Sequence, residues 1–158
     1  AEELLRAVRR KITAALTAVL DARLPASMSV SLRLATRLHS YILSVSRDPA
    51  WGWMTARLDA SRLERTPVLE ANLDLMFYEG VSRGEFRDMD PAAVRTLVFG
   101  ASRMVQRDIL MGLSSPEHAI QVVALVLNAC GRPYESALAV SREGAAVALE
   151  IHAVLDAA

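Results

Sequence analysis

The chain has 158 residues, of which 53% are hydrophobic and 23% are charged. This length is enough for one domain with a substantial core, and the composition excludes intrinsic disorder as the main state. The 18 basic residues are balanced by 18 acidic ones, whereas a nucleic-acid-binding domain usually carries a basic excess. Because the mean hydropathy is positive, we expect a large core or apolar surface that meets a partner or a ligand.

Prolines divide the sequence into segments with helical periodicity. Proline is well suited to the first helical position, and most of the prolines follow a residue whose side-chain oxygen can cap a helix. These capping residues are Asp48, Thr66, Asp90 and Ser115. Ser27 is expected to cap the second helix. The alanine-rich tail from Pro133 is expected to be helical with a break near Gly144. The other predicted helices cover residues 2–22, 28–46, 49–60, 67–83, 91–111 and 116–130.

The fold class follows from this pattern. No segment combines alternating β-branched residues with the turn residues of a hairpin, so strands are not predicted. We therefore predict an all-α domain of seven or eight helices with short connections.

Motifs for catalysis or metal binding are not evident. His39, His118 and His152 have no carboxylate or cysteine at ligand spacing, and Cys130 has no obvious base. There is no glycine-rich phosphate loop. We therefore predict no metal, no cofactor and no enzymatic activity.

The expected compartment is the cytoplasm. A lone cysteine cannot form an internal disulfide, which fits a reducing environment. No uncharged run reaches the roughly 18 residues that a membrane span needs, so no membrane association is predicted.

The order of turns and helices from residue 78 onwards resembles a known family. An apolar helix is expected to end at Gly84 in the left-handed conformation, and Gly80, one turn earlier, is expected to let a neighbouring helix approach closely. Gly84-Glu85-Phe86 follows this helix, and Asp90-Pro91-Ala92-Ala93 opens the next one, which ends at Gly112. Ser114-Ser115-Pro116-Glu117 then opens a helix that ends in Cys130-Gly131. This order resembles the C-terminal regulatory domain of TetR-family transcriptional repressors. The resemblance covers about residues 1–140, including the stretch from Tyr41 to Pro49.

The resemblance implies an organisation and a function. Residues 1–24 would be a linker-type helix, 25–90 the pocket helices, 91–131 the dimer helices and 132–158 a C-terminal tail. The family's N-terminal helix-turn-helix domain has no counterpart here, so operator DNA would be bound only through that missing domain. The chain would then be the effector-binding and dimerisation domain of a bacterial repressor, with a small apolar or amphipathic effector.

In this family the last two long helices form a four-helix bundle with their copies in a homodimer. The second of these helices is nearly free of charge here, which indicates burial on more than one side. The alternative is a helix at the centre of a monomer. The residues expected at the dimer interface are Val94, Val98, Val105, Ile120, Val123, Ala124 and Leu127.

The expected ligand pocket is built around the short third helix. Tryptophan and methionine are typical of adaptable apolar pockets, and Arg103 and Arg107 are one turn apart, so they can share an anionic group. Ordinary packing for the apolar residues, and surface or cross-dimer pairing for the arginines, is the alternative. The expected ligand-binding residues are Leu38, Tyr41, Ile42, Trp51, Trp53, Met54, Leu73, Met76, Phe77, Arg103 and Arg107.

Two rival hypotheses remain open at this point. A helical homodimerisation or scaffold module would have the same helices without a sizeable cavity. An enzyme would require a buried polar cluster with strongly shifted pKa values in a pocket.

Overall fold

The computed structural model describes residues 2–61 and 67–157, and these residues form seven helices and no strand. The predicted all-α class is therefore confirmed for the described part of the chain. None of the helices in these two ranges has the length and apolarity needed to cross a membrane. The helices are α1 (Glu2–Arg23), α2 (Val30–Arg47), α3 (Pro49–Ser61), α4 (Pro67–Ser82), α5 (Pro91–Leu110), α6 (Pro116–Ala129) and α7 (Tyr134–Asp156).

The helix starts agree with the capping pattern in part, since Ser115 precedes α6 but makes no side-chain cap hydrogen bond. Asp90 accepts a hydrogen bond from the N–H of Ala92 at 3.1 Å, and Asp48 accepts from Trp51 at 3.0 Å. The cap of α2 is Ser29, whose hydroxyl accepts from Leu32, and the expectation for Ser27 was wrong. Thr66 lies outside the described residues.

Helix α2 is the centre of the bundle and packs against α3, α4, α5, α6 and α7. Its buried side chains join those of α4, α5, α6 and α7 in one continuous core. The positions where α2 meets its neighbours most closely hold small residues, because helix backbones can approach only where side chains are short. The fully buried small residues of α2 are Ser31, Ala35, Thr36 and Ser40.

The expected break of the tail near Gly144 was wrong, since α7 runs unbroken from Tyr134 to Asp156. Gly144 is buried against α2, and a methyl group at this position would lie 2.8 Å from Cβ of Ala35 and 3.0 Å from N of Thr36. Because these atoms belong to a short side chain and to backbone, the two helices would have to separate to admit it. The glycine therefore serves close packing between α2 and α7.

Helix α1 is held mainly by its C-terminal half. Leu20 and Leu24 pack with Ile151 of α7 in a small second core. The N-terminal half exposes apolar side chains, among them Leu4 and Val8. The buried residues of α1, Thr17 and Leu20, both lie in its second half.

The joint between α4 and α5 is fixed by Gly84, Glu85 and Phe86. Gly84 has φ of +70°, as predicted for a glycine that ends a helix. Phe86 stacks on Phe77 with ring centroids 6.2 Å apart, and its ring occupies the space beside Gly80, where a methyl group would lie 2.1 Å from Cδ2. Gly80 was expected to admit a neighbouring helix and instead admits this aromatic ring.

Glu85 connects this joint to the start of α2. Its carboxylate accepts from the N–H of Val30 at 3.0 Å, and from both the N–H and the hydroxyl of Ser31 at 2.9 Å. Burial opposes ionisation of Glu85, but these hydrogen bonds and the nearby Arg132 outweigh it and lower its pKa. The carboxylate therefore caps α2 from a distant segment of the chain.

Candidate ligand-binding cavity

A cavity of about 150 Å³ lies among helices α1 to α5. Its wall is mostly apolar, with polar groups distributed among the five helices. Pockets of this kind, apolar with a few convergent polar groups, are the usual form of small-molecule sites. The apolar wall is formed by Ile12, Leu16, Leu34, Leu38, Val45, Trp51, Leu69, Leu73, Met76, Val98 and Phe99.

The structure brings a subset of the predicted ligand-binding residues together at this cavity. The members that line it are Leu38, Tyr41, Trp51, Leu73, Met76 and Arg103.

The remaining predicted ligand-binding residues lie elsewhere. Ile42 and Phe77 are buried in the main core and do not line the cavity, because their side chains lie on other faces of α2 and α4. Trp53 is 51% exposed, and Met54 is half-buried on α3 outside the wall. Arg107 lines a separate groove of about 270 Å³ between α3 and α5. One tryptophan thus faces the cavity while the other faces solvent.

Sequence reasoning missed the contribution of α1 to the wall. Arg9, Ile12, Thr13 and Leu16 occupy successive turns of that helix and all line the cavity. The signal was present in the spacing of these residues, which continues the apolar stripe of the helix. Periodicity shows that such a face is covered, but it does not show by what.

Two cavity-lining side chains of α2 also hold α1 in place. Arg37 forms an ion pair with Asp21. The hydroxyl of Tyr41 lies 2.8 Å from Oγ1 of Thr17. Because the Thr17 hydroxyl donates to the Thr13 carbonyl, Tyr41 is the donor in this contact. Burial raises the pKa of Tyr41, so its phenol is neutral at physiological pH and can donate.

Further polar contacts tie α5 to α2 beside the cavity. The side-chain amide of Gln106 donates to the carbonyl of Tyr41 at 3.0 Å. The hydroxyl of Ser102 donates to the carbonyl of Val98 at 2.8 Å within α5. These wall groups are fixed in orientation, which is what a specific binding site requires.

All the charged side chains among the described residues of the cavity wall are basic. Arg9, Arg37 and Arg103 come from three different helices, and none of the described residues in the wall is acidic. This is a local feature, because the whole chain has equal numbers of basic and acidic residues.

Most residues expected at a dimer interface are buried within the single chain. Ile120 is half-buried. The other six side chains are at most 4% exposed and therefore offer no surface to a partner; they are Val94, Val98, Val105, Val123, Ala124 and Leu127. The reason is α7, which packs along α6 and covers the side that was expected to need a partner. These residues are core residues of the chain itself.

The titratable groups with the largest pKa shifts lie outside the cavity. Burial lowers the pKa of His39 to about 4, and its Nε2 donates to the hydroxyl of Ser141 at 3.0 Å. Burial raises the pKa of the Cys130 thiol to about 11, which makes it a poor nucleophile at neutral pH. No group of three potential metal ligands occurs within residues 2–61 and 67–157.

Comparison with known proteins gives no match, whether against protein-family models, curated proteins or solved structures.

Proposed function

We propose that this chain is the effector-binding and dimerisation domain of a ligand-responsive bacterial transcriptional repressor of the TetR type. A small molecule occupies the cavity among α1 to α5, and operator DNA is bound by an N-terminal domain outside this sequence. The order of turns and helices supports the family assignment. A cavity bounded by five helices favours a sensor over a scaffold module, which has no use for one.

The observation that carries the proposal is the position of α1 at the cavity. Four residues of α1 form part of the wall, and Arg37 and Tyr41 line the cavity while holding Asp21 and Thr17 of that helix. Any ligand that contacts Arg37 or Tyr41 therefore acts on the contacts that fix α1. In the proposed full-length protein this helix leads to the DNA-binding domain.

The proposed mechanism is a shift between two positions of α1. A ligand changes this equilibrium only by the difference between its affinities for the two states. Because the buried residues of α1, Thr17 and Leu20, both lie in its second half, the first half can take a second position at a lower cost in free energy than the second half. The ligand and the DNA-binding domain are then coupled through one helix.

The cavity volume limits the size of the ligand. A dry protein cavity of about 150 Å³ binds a molecule of the size of benzene. The effector that fits without rearrangement of the wall is therefore a single substituted ring or a short branched chain.

The two tryptophans provide an internal test of ligand binding. In Trp53→Phe, Trp51 is the remaining tryptophan and lines the cavity, so its emission should change when a ring-sized compound binds. In Trp51→Phe, the remaining Trp53 is exposed and outside the wall, so its emission should stay constant in the same titration. Compounds that raise the melting temperature of both variants but never alter Trp51 emission would count against the cavity as the site.

The proposed dimer uses a face that the sequence did not indicate. Leu97, Gly100, Met104 and Met111 follow one another at helical spacing along α5 and its C-cap, with the exposed Arg107 between the two methionines. All four are exposed, and the space around Gly100 is open. Leu125 of the adjacent α6 is 56% exposed. Exposed apolar side chains on two packed helices are typical of a protein interface, and a twofold dimer would place two copies of α5 and α6 in one four-helix bundle.

A further inference from the structure

The arginines of the cavity wall specify the chemical class of the ligand. Arg9 comes from α1, Arg37 from α2 and Arg103 from α5, so the positive charge surrounds the cavity and does not lie on one helix face. A guanidinium group presents several N–H donors in a plane that matches the two oxygens of a carboxylate. The rest of the wall is apolar and suits a hydrocarbon ring.

Arg37 has donor capacity beyond its ion pair. One of its terminal nitrogens pairs with Asp21, whereas its Nε is buried and has no hydrogen-bond acceptor in the described part of the structure. A buried N–H without an acceptor costs free energy, more so when the group is charged. A ligand oxygen within reach would remove that cost.

We propose that the ligand is a small organic anion, a single ring or short branched hydrocarbon that carries one carboxylate. The carboxylate is bound by the arginines, and the hydrocarbon packs against Leu38, Leu73 and Met76. This inference rests on the proposed function and adds the charge of the effector to it. It also names the contact that reaches α1, since an anion at the Nε of Arg37 would share this guanidinium with Asp21 of α1.

The test uses three probes of the same size and different charge: benzoate, benzyl alcohol and benzylamine. We expect benzoate to bind about tenfold or more tightly than benzyl alcohol, since hydrogen bonds to charged groups are stronger than neutral ones. The protonated amine should bind more weakly than either. High salt should weaken benzoate binding and leave benzyl alcohol binding almost unchanged.

Substitutions within α5 provide a matched control. Arg103 lines the cavity and is exposed at its edge, so Arg103→Gln should fold normally and lower benzoate affinity about tenfold without changing that of benzyl alcohol. Arg103→Lys should restore part of the loss. Arg107 lies one turn further along α5, lines the groove and not this cavity, and its replacement by glutamine should have no effect.

The outcomes separate the two proposals. If benzyl alcohol or benzylamine binds as tightly as benzoate, the anion inference is overturned while the cavity remains a ligand site. Equal losses in the Arg103→Gln and Arg107→Gln variants would also overturn it, because the effect would then be general electrostatics. If none of the three probes binds, the anion inference and the small-molecule part of the proposed function both fail.

Discussion

Replacing Glu85 by alanine is expected to lower the free energy of unfolding by about 3 kcal/mol, because the first turn of α2 loses a charged acceptor shared by three hydrogen bonds. Val30 and Ser31 are fully buried, so their N–H groups would be left without an acceptor. For a chain of this size that corresponds to a fall in melting temperature of about 10 °C. The melting temperature of Glu85→Gln, which keeps one acceptor oxygen, should lie between those of the wild type and Glu85→Ala.

The matched control is Glu135, a carboxylate in the first turn of α7 that is exposed. Glu135→Ala should cost no more than about 0.5 kcal/mol, the usual size of a helix-dipole effect at the surface. The pH dependence should also differ. The folded pKa of Glu85 is below its unfolded value, so its contribution is complete above the unfolded pKa and is lost as the pH falls through the folded pKa. Equal acid sensitivity in wild type and Glu85→Ala would contradict this account of the cap.

Replacing Leu125 by glutamate is expected to convert a dimer into a monomer. The wild-type chain should scatter light as a particle of twice 17.2 kDa at micromolar concentration. A carboxylate in the middle of an apolar interface is desolvated without a partner, and we expect the dissociation constant to rise at least about 100-fold. Met104→Glu, on the same face of α5, should have the same result.

Leu75 provides the control for this experiment. It is 68% exposed, more than Leu125, but it lies on α4 and outside the proposed interface. Leu75→Glu should leave the dimer intact. The α5–α6 face would be ruled out as the interface if the wild-type protein is monomeric, or if the Leu125→Glu and Met104→Glu variants both remain dimeric.

Sequence reasoning succeeded where a residue acts on its near neighbours in the chain. Gly84 ends α4 with positive φ and Asp90 caps α5, because these effects depend on neighbouring residues in the chain. It failed for Gly144, where glycine inside a helical pattern indicated a break. The close approach of α2, which depends on residues about a hundred positions away, decides the structure there.

The same distinction applies to the candidate site. Trp51 and Arg103 were identified by residue type, and both line the cavity. Trp53 was chosen on the same ground, but its side chain lies on the opposite, exposed side of α3. Because α3 has little amphipathic character, its sequence does not indicate which face is buried. Val98 and Leu127 were assigned to a partner because the family resemblance implies an intermolecular bundle, whereas periodicity shows only that a face is buried and does not identify the element that covers it.

The central claim is that the cavity is an effector site whose occupancy changes the state of α1. The direct measurement is amide hydrogen exchange over residues 2–23, with and without saturating benzoate, or the tightest binder of the three probes. The account predicts that exchange in α1 changes on binding, with the largest change around Arg9 to Thr17, which line or adjoin the cavity wall. A probe that alters Trp51 emission but leaves exchange throughout α1 unchanged would contradict it.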